Sequence, residues 1–151
     1  MIYTKLGSEL ARMFVIRYLN LSTEALEELR NVDSYDFNIF RLRELTNGRE
    51  LETILPYVLA KNGLIGSNKL EFNNLMSFIR EIAAGYKSIT YHNQTHGADV
   101  LQTFNFFMGE GGLKETLKMD NLEQMSCLIA AALHDYEHPG VNNLFLVNMN
   151  D

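Results

Sequence analysis

The chain is 151 residues long, 46% hydrophobic and 21% charged, with a formal net charge of −6. That length suits one compact domain with a sizeable core, and the composition is that of a globular chain, not a disordered one. The acidic balance, without a basic stripe, excludes a nucleic-acid scaffold, because phosphate backbones demand clustered Lys and Arg. A small anionic substrate stays open if metal ions or local cations offset the acidic background.

No strand alternation persists along the chain, so the expected fold class is all-α, a compact multi-helix bundle. The opening MIYTKLGSELARMFVIRYLN lacks the order of a secretory signal. Lys5, Glu9, Arg12 and Arg17 interrupt it too often for a membrane span. Over residues 7–19, Leu10, Met13, Phe14 and Ile16 fall on overlapping faces and predict an amphipathic helix. Ser22 is placed to cap a short helix through Leu26 and Leu29, with Glu24 near its positive end. Residues 31–36 read as a turn; Phe37, Phe40 and Leu45 begin the next packed segment, which Asn47-Gly48-Arg49 breaks.

A helix over about 50–61 carries Leu51, Leu55, Val58 and Leu59, and its Pro56 calls for a kink or a place near a start. NGLIGSNK, residues 62–69, reads as a loop, and Phe72, Leu75, Ile79, Ile82 and Ala83 form one stripe over about 70–86. MGEGG at 108–112 separates two further helices, about 91–107 and 120–136. The single cysteine, Cys127, lies in the apolar run CLIAAAL and reads as a lone buried thiol. It cannot form an internal disulfide, a pattern usual for a reducing compartment, so a cytoplasmic location is expected. The closing VNNLFLVNMND is strongly apolar, and Phe145, Leu146, Val147 and Met149 call for a partner. The expectation is a truncated chain.

All four histidines fall in two short stretches, YHNQTHGADV and ALHDYEHPG. On a helix, the spacing of His92 and His96 puts both imidazoles on one face, about 6 Å apart along the axis, with Asp99 on that face too. His134 and Asp135 end an apolar helix through Ala130, Ala131, Ala132 and Leu133, where both can reach one ion from its rim. Imidazole with carboxylate suits Zn, Mn, Mg or Fe. Pro139 pushes His138 out of helical geometry, which makes it a supporting group behind the ligands and not a third ligand. The bland alternative is a helix end where imidazolium meets the negative dipole. Clustering of every histidine into two motifs favours a metal-centred site.

Two strings resemble a known family. YHNxxHxxDVxQ, present as Tyr91-His92-Asn93, His96, Asp99-Val100 and Gln102, is similar to the first signature of class I 3′,5′-cyclic nucleotide phosphodiesterases. HDxxHPGxxNxFL, present as His134-Asp135, His138-Pro139-Gly140, Asn143 and Phe145-Leu146, is similar to the second. The resemblance extends back to YDFNIFRL, so residues 35–151 read as the N-terminal part of that catalytic domain and residues 1–34 as lead-in helices.

The resemblance implies an all-α fold and hydrolysis of cAMP or cGMP to 5′-nucleoside monophosphates by two metal ions. His96, His134 and Asp135 would be metal ligands, with Asp135 bridging a first ion, typically Zn, and a second, typically Mg or Mn. His92 would be the general acid, Tyr91 would line the pocket, and His138 and Asn143 would support the ligands. Expected partners are the cyclic nucleotide, the remaining C-terminal part of the catalytic domain and a second copy in a homodimer.

Gly97 stands where the family usually has Ala, a change expected to loosen the helix slightly. The family's further Asp ligand, its supporting Glu and its purine-clamping Gln and Phe come later than the second motif, so these 151 residues alone are expected to be inactive and to bind metal weakly. Two other readings stay open: another His-Asp metal-dependent phosphohydrolase, and a non-catalytic helical scaffold or regulatory module that keeps the motifs.

Overall fold

The structure, a computed structural model, describes residues 2–149. Among the described residues there are ten helices and no strand. Polar side chains set where several of the helices begin. After α1 (Ile2–Leu19), Ser22 accepts from the Ala25 N–H at 3.2 Å and opens α2 (Thr23–Arg30). Asn38 opens α3 (Ile39–Leu45) by accepting from the Arg41 N–H at 3.0 Å. Each side chain satisfies one of the donors that a helix start leaves without an internal partner.

At the middle lies α4 (Glu50–Lys61), buried at every position from Thr53 to Ala60. A helix that is apolar on all sides has only one stable place, inside other helices. Pro56 sits inside it past the first turn, and the helix nevertheless runs on to Lys61, packed on every side. The predicted loop after it holds a short helix, α5 (Leu64–Ser67), whose Leu64 and Ile65 are buried. Gly63, at φ +72°, supplies the reversal between them. Glu71 caps α6 (Phe72–Gly85) through the Asn73 and Asn74 N–H groups at 3.2 and 2.8 Å. Then come α7 (Gln94–Met108), α8 (Leu113–Thr116) and α9 (Asn121–Leu133), followed by α10 (Asn143–Met149). Asp120 and Glu123 form a reciprocal capping box on α9, both bonds at 2.8 Å.

The structure corrects three faces. Along α1 the core takes Val15 and Leu19, with Ala11 and Ile16 packed against it, while Leu10, Met13 and Phe14 are exposed. The buried row is 11-15-19 at i,i+4 spacing, so the expected stripe is rotated. Phe14 instead meets the Phe72 ring edge-on, centroids 4.7 Å apart. In the α3 segment Phe37 is buried but Phe40 is exposed. On α9, Ala132 is buried whereas Ala130 is exposed, and Cys127 is only half-buried. The apolar residues of α10, Leu144 to Val147 and Met149, are exposed. No helix among the described residues is long and apolar enough to cross a membrane.

Buried amides tie the 32–34 turn to the two central helices. Gln102 donates to the Val32 and Ser34 carbonyls at 2.9 and 2.8 Å, and Asn105 donates to Val32 O and Asp33 Oδ1 at 3.2 and 3.0 Å. Asn62 of the α4 cap donates to Asn105 Oδ1 at 3.1 Å, and Lys61 pairs with Asp33. Gln102 therefore belongs to its motif for the fold. A Gln102→Leu change removes two hydrogen bonds, to a buried and a part-buried carbonyl that each keep a second donor, and should cost about 1 kcal/mol per bond in chemical denaturation. Unchanged stability would refute that role.

Candidate metal centre

The site is assembled where the start of α7 meets the end of α9. Asn93 caps α7: its Oδ1 accepts from the Thr95 and His96 N–H groups at 3.0 and 3.3 Å, and its Nδ2 donates to Ile89 O at 2.9 Å. A cap at 93 starts the helix at Gln94, which corrects the expected span of 91–107. Tyr91 and His92 precede the helix, so His92 and His96 do not share a helical face. The turn before α7 brings their rings together instead, centroids 5.8 Å apart and perpendicular. Likewise α9 stops at Leu133, with His134 as its C-cap and Asp135 in the turn beyond, not in a helix to 136.

Asp135 Oδ2 is the hub. It lies 3.1 Å from His134 Nε2, 3.2 Å from His96 Nε2 and 3.9 Å from His92 Nε2. His134 and His96 also face each other, Nε2 to Nε2, at 3.2 Å. His134 Nδ1 lies 2.8 Å from Ala131 O. A carbonyl can only accept, so that nitrogen carries the proton and, in the neutral ring, Nε2 presents its lone pair. Imidazole nitrogens and a carboxylate oxygen so close repel one another unless a proton or a metal ion lies among them. Three protein donors with positions left open is the pattern of a catalytic cation site. The residues thus fit a divalent ion, and two donor groups can be drawn: His96-His134-Asp135 and His92-Asp135-His138.

His96 is suited to the neutral form that ligation requires. Burial, chiefly, and the neighbouring His134 lower its pKa, against the opposing pull of Asp135. His138 is oriented differently. Its Nδ1 accepts from the Gly140 N–H at 3.0 Å, which leaves Nε2 protonated in the neutral ring, so His138 could join the second donor group only by giving up that bond or that proton. Its ring stacks on His92 with centroids 3.9 Å apart and 21° between planes. Tyr91 is exposed, lies against His96 at 4.5 Å and His92 at 4.9 Å, and walls a cavity of about 180 Å³ with Phe40, Arg43 and Asp99. Asn143 is not part of this cluster: it opens α10 exposed, and no hydrogen bond among the described residues joins it to the ligands. The α10 N–H bond goes instead to Asn142 Oδ1, from Phe145 at 2.8 Å.

Two supports were not foreseen. Glu50, fully buried at the head of α4, accepts from Thr95 Oγ1 at 2.6 Å and pins the residue next to His96. Tyr86, which in the sequence only ends an apolar stripe, donates from its hydroxyl to Ala132 O at 2.8 Å. Burial, foremost, raises its pKa; the Asp135 backbone N–H beside the hydroxyl opposes the shift and the Asp135 charge adds to it. Both join residues some 45 positions apart, so no local spacing could have signalled them.

The sequence that carries this cluster matches known proteins. The family described as 3′5′-cyclic nucleotide phosphodiesterase matches residues 91–151. A human protein named dual specificity calcium/calmodulin-dependent 3′,5′-cyclic nucleotide phosphodiesterase 1B is 36% identical over 145 residues, covering 92% of this chain and 27% of its own length. A Drosophila melanogaster protein named high affinity cAMP-specific and IBMX-insensitive 3′,5′-cyclic phosphodiesterase 8 is 39% identical over 119 residues, covering 78% of this chain and 13% of its own. The chain belongs to the class I cyclic nucleotide phosphodiesterase family, over part of its catalytic domain. It spans about a quarter of the length of the human relative and less of the fly one.

The lowered pKa of His96 makes a prediction for the metal-free chain. Above the ordinary imidazole value both the folded and the unfolded chain hold it neutral; as pH falls below that value the unfolded chain binds the proton first, and stability drops. In an NMR titration His96 should titrate below the ordinary histidine value, and His96→Gln should flatten the acid side of the stability profile. A midpoint at or above the ordinary value would contradict the geometry.

Proposed function

We propose that this chain supplies the His-Asp half of a centre that hydrolyses 3′,5′-cyclic nucleotides to 5′-nucleoside monophosphates. The observation that carries the reading is the convergence of His134, His96 and His92 nitrogens on one oxygen of Asp135. Both named relatives are cyclic nucleotide phosphodiesterases, which points to the same substrate class here.

In this reading His96, His134 and Asp135 would hold a first divalent ion, typically Zn, and Asp135 would also serve a second, typically Mg or Mn. When bound, the ions neutralise the phosphoryl oxygens and lower the pKa of the attacking water toward neutrality. The chain's own groups do the rest. Asp135 offers its oxygen from the turn after α9, fixed by the His138 N–H donating to Asp135 O at 3.0 Å. His134 is held as a ligand by its Nδ1–H bond to Ala131 O.

His92 acts as the general acid that protonates the leaving 3′ oxygen. Imidazole is the side chain best able to give a proton near pH 7. Its ring is kept at the rim of the cluster by His138 on one side and Tyr91 on the other. His138 thus steadies the acid by stacking as well as standing behind the ligands, and Tyr91 lines the substrate cavity. For the role given to Asn143, support of the ligands, no hydrogen bond among the described residues speaks.

Two substitutions in the full protein separate these roles. His92→Ala should lower kcat for cyclic nucleotide hydrolysis by about 10²–10⁴, with bound metal retained. Asp135→Ala should deplete both ions and activity together. Loss of metal from the His92 variant, read by elemental analysis, would mean that His92 is a ligand and not the acid.

A further inference from the structure

We propose that Tyr86 is the positioning residue of the His134-Asp135 pair, acting through a gap that Gly97 leaves open in α7. This rests on reading the cluster as a metal centre. The helix end that carries both ligands has a carbonyl to satisfy. The Ala132 carbonyl would ordinarily accept from the N–H four residues on, but the Tyr136 N–H turns to Leu133 O at 2.9 Å as the helix stops. Ala132 is fully buried, so water cannot take that place. The Tyr86 hydroxyl does, at 2.8 Å.

The ring reaches that carbonyl by lying across the start of α7. A Cβ at Gly97 would stand 2.6 Å from Tyr86 Oη and 2.8 Å from Cζ, distances no side chain tolerates. Gly97 directly follows His96, and it is buried. One phenol therefore touches the helix that carries His96 and holds the helix end that carries His134 and Asp135. It sets the separation of α7 and α9 at the level where Asp135 Oδ2 meets both nitrogens at 3.1 and 3.2 Å. A side chain at 97 would require the Tyr86 ring to shift, and with it the hydroxyl that holds the α9 end. The pairing of Tyr86 with Gly97 is thus a single device, spread over α6, α7 and α9.

The test uses Zn²⁺ alone, by calorimetry, together with imidazole ¹⁵N shifts of the metal-free chain. Tyr86→Phe keeps the ring and removes the bond; Gly97→Ala keeps the hydroxyl and displaces it. Each should weaken Zn²⁺ binding about tenfold and shift the His134 and His96 nitrogen signals. The double variant should lose no more than Gly97→Ala alone, since both changes break the same bond. If Tyr86→Phe does not fold, Gly97→Ala carries the test. A Tyr86→Phe chain that melts earlier yet binds Zn²⁺ like the wild type, with unmoved histidine signals, overturns the proposal. A wild-type chain that takes up no Zn²⁺ would defeat the metal-centre reading itself, and the histidine shifts alone would then decide the role of Tyr86.

Discussion

Everything in this fold answers to the crowding around Asp135 Oδ2. With its proton on Nδ1, neutral His134 turns a bare Nε2 toward a carboxylate oxygen 3.1 Å away and toward the His96 nitrogen 3.2 Å away, so the cluster does not hold together without a proton or a cation among its donors. They have to be held from behind. The backbone dipoles sharpen the requirement. Asp135 faces the start of α7, whose positive end favours an anion, but it also follows the negative end of α9, which favours a cation. A carboxylate, bare imidazole nitrogens and a negative helix end together make a place whose missing charge is positive.

The holding is done at several depths. Closest in, Asn93 fixes the first turn of α7 and the Ala131 carbonyl fixes the His134 tautomer. Behind them, Thr95 is tied to Glu50 and the α9 end to Tyr86. Furthest back is α4, whose apolar length packs among the other helices and gives the hub a rigid floor. Small residues let the layers close: Gly97, Ala98 and Ala132 are all buried where α7 and α9 meet. Each layer is worth only about a kilocalorie per hydrogen bond, whereas burying a large aliphatic side chain contributes about 1.5–3 kcal/mol. Core burial therefore carries the stability, and the polar ties spend little of it while deciding where the donors point.

What the sequence revealed follows the same division. Helices with a local signal were legible: the Ser22 cap, the stripe of α6 and the apolar length of α4 each follow from spacing of a few residues. The two histidine motifs were legible as chemistry because residue type alone limits what imidazole and carboxylate can bind. The exact ends were not. Asn93 reads equally as motif residue and as cap, and choosing the cap moves His92 off the helix. The face of α1 is not legible locally, because Leu10, Met13 and Phe14 have helical spacing too, and packing against α4 and α5 decides which row is buried. Contacts such as Gln102 to Val32, across 70 positions, leave no trace in any local window.

Gly97 shows the limit most clearly. Read locally, a glycine inside a helix costs about 1 kcal/mol against alanine and simply loosens it. In three dimensions the missing methyl is the space that a buried phenol occupies, and the phenol makes a hydrogen bond worth about the same amount. An alanine here would recover the first term, but it would crowd the ring and leave a buried carbonyl without its donor, so the exchange is not read from helix propensity alone. Geometry does register it, because the hydroxyl grips the carbonyl three residues before Asp135. A substitution that improves helix propensity locally can therefore still act against the site, because it displaces the side chain on which the position of one carboxylate oxygen depends.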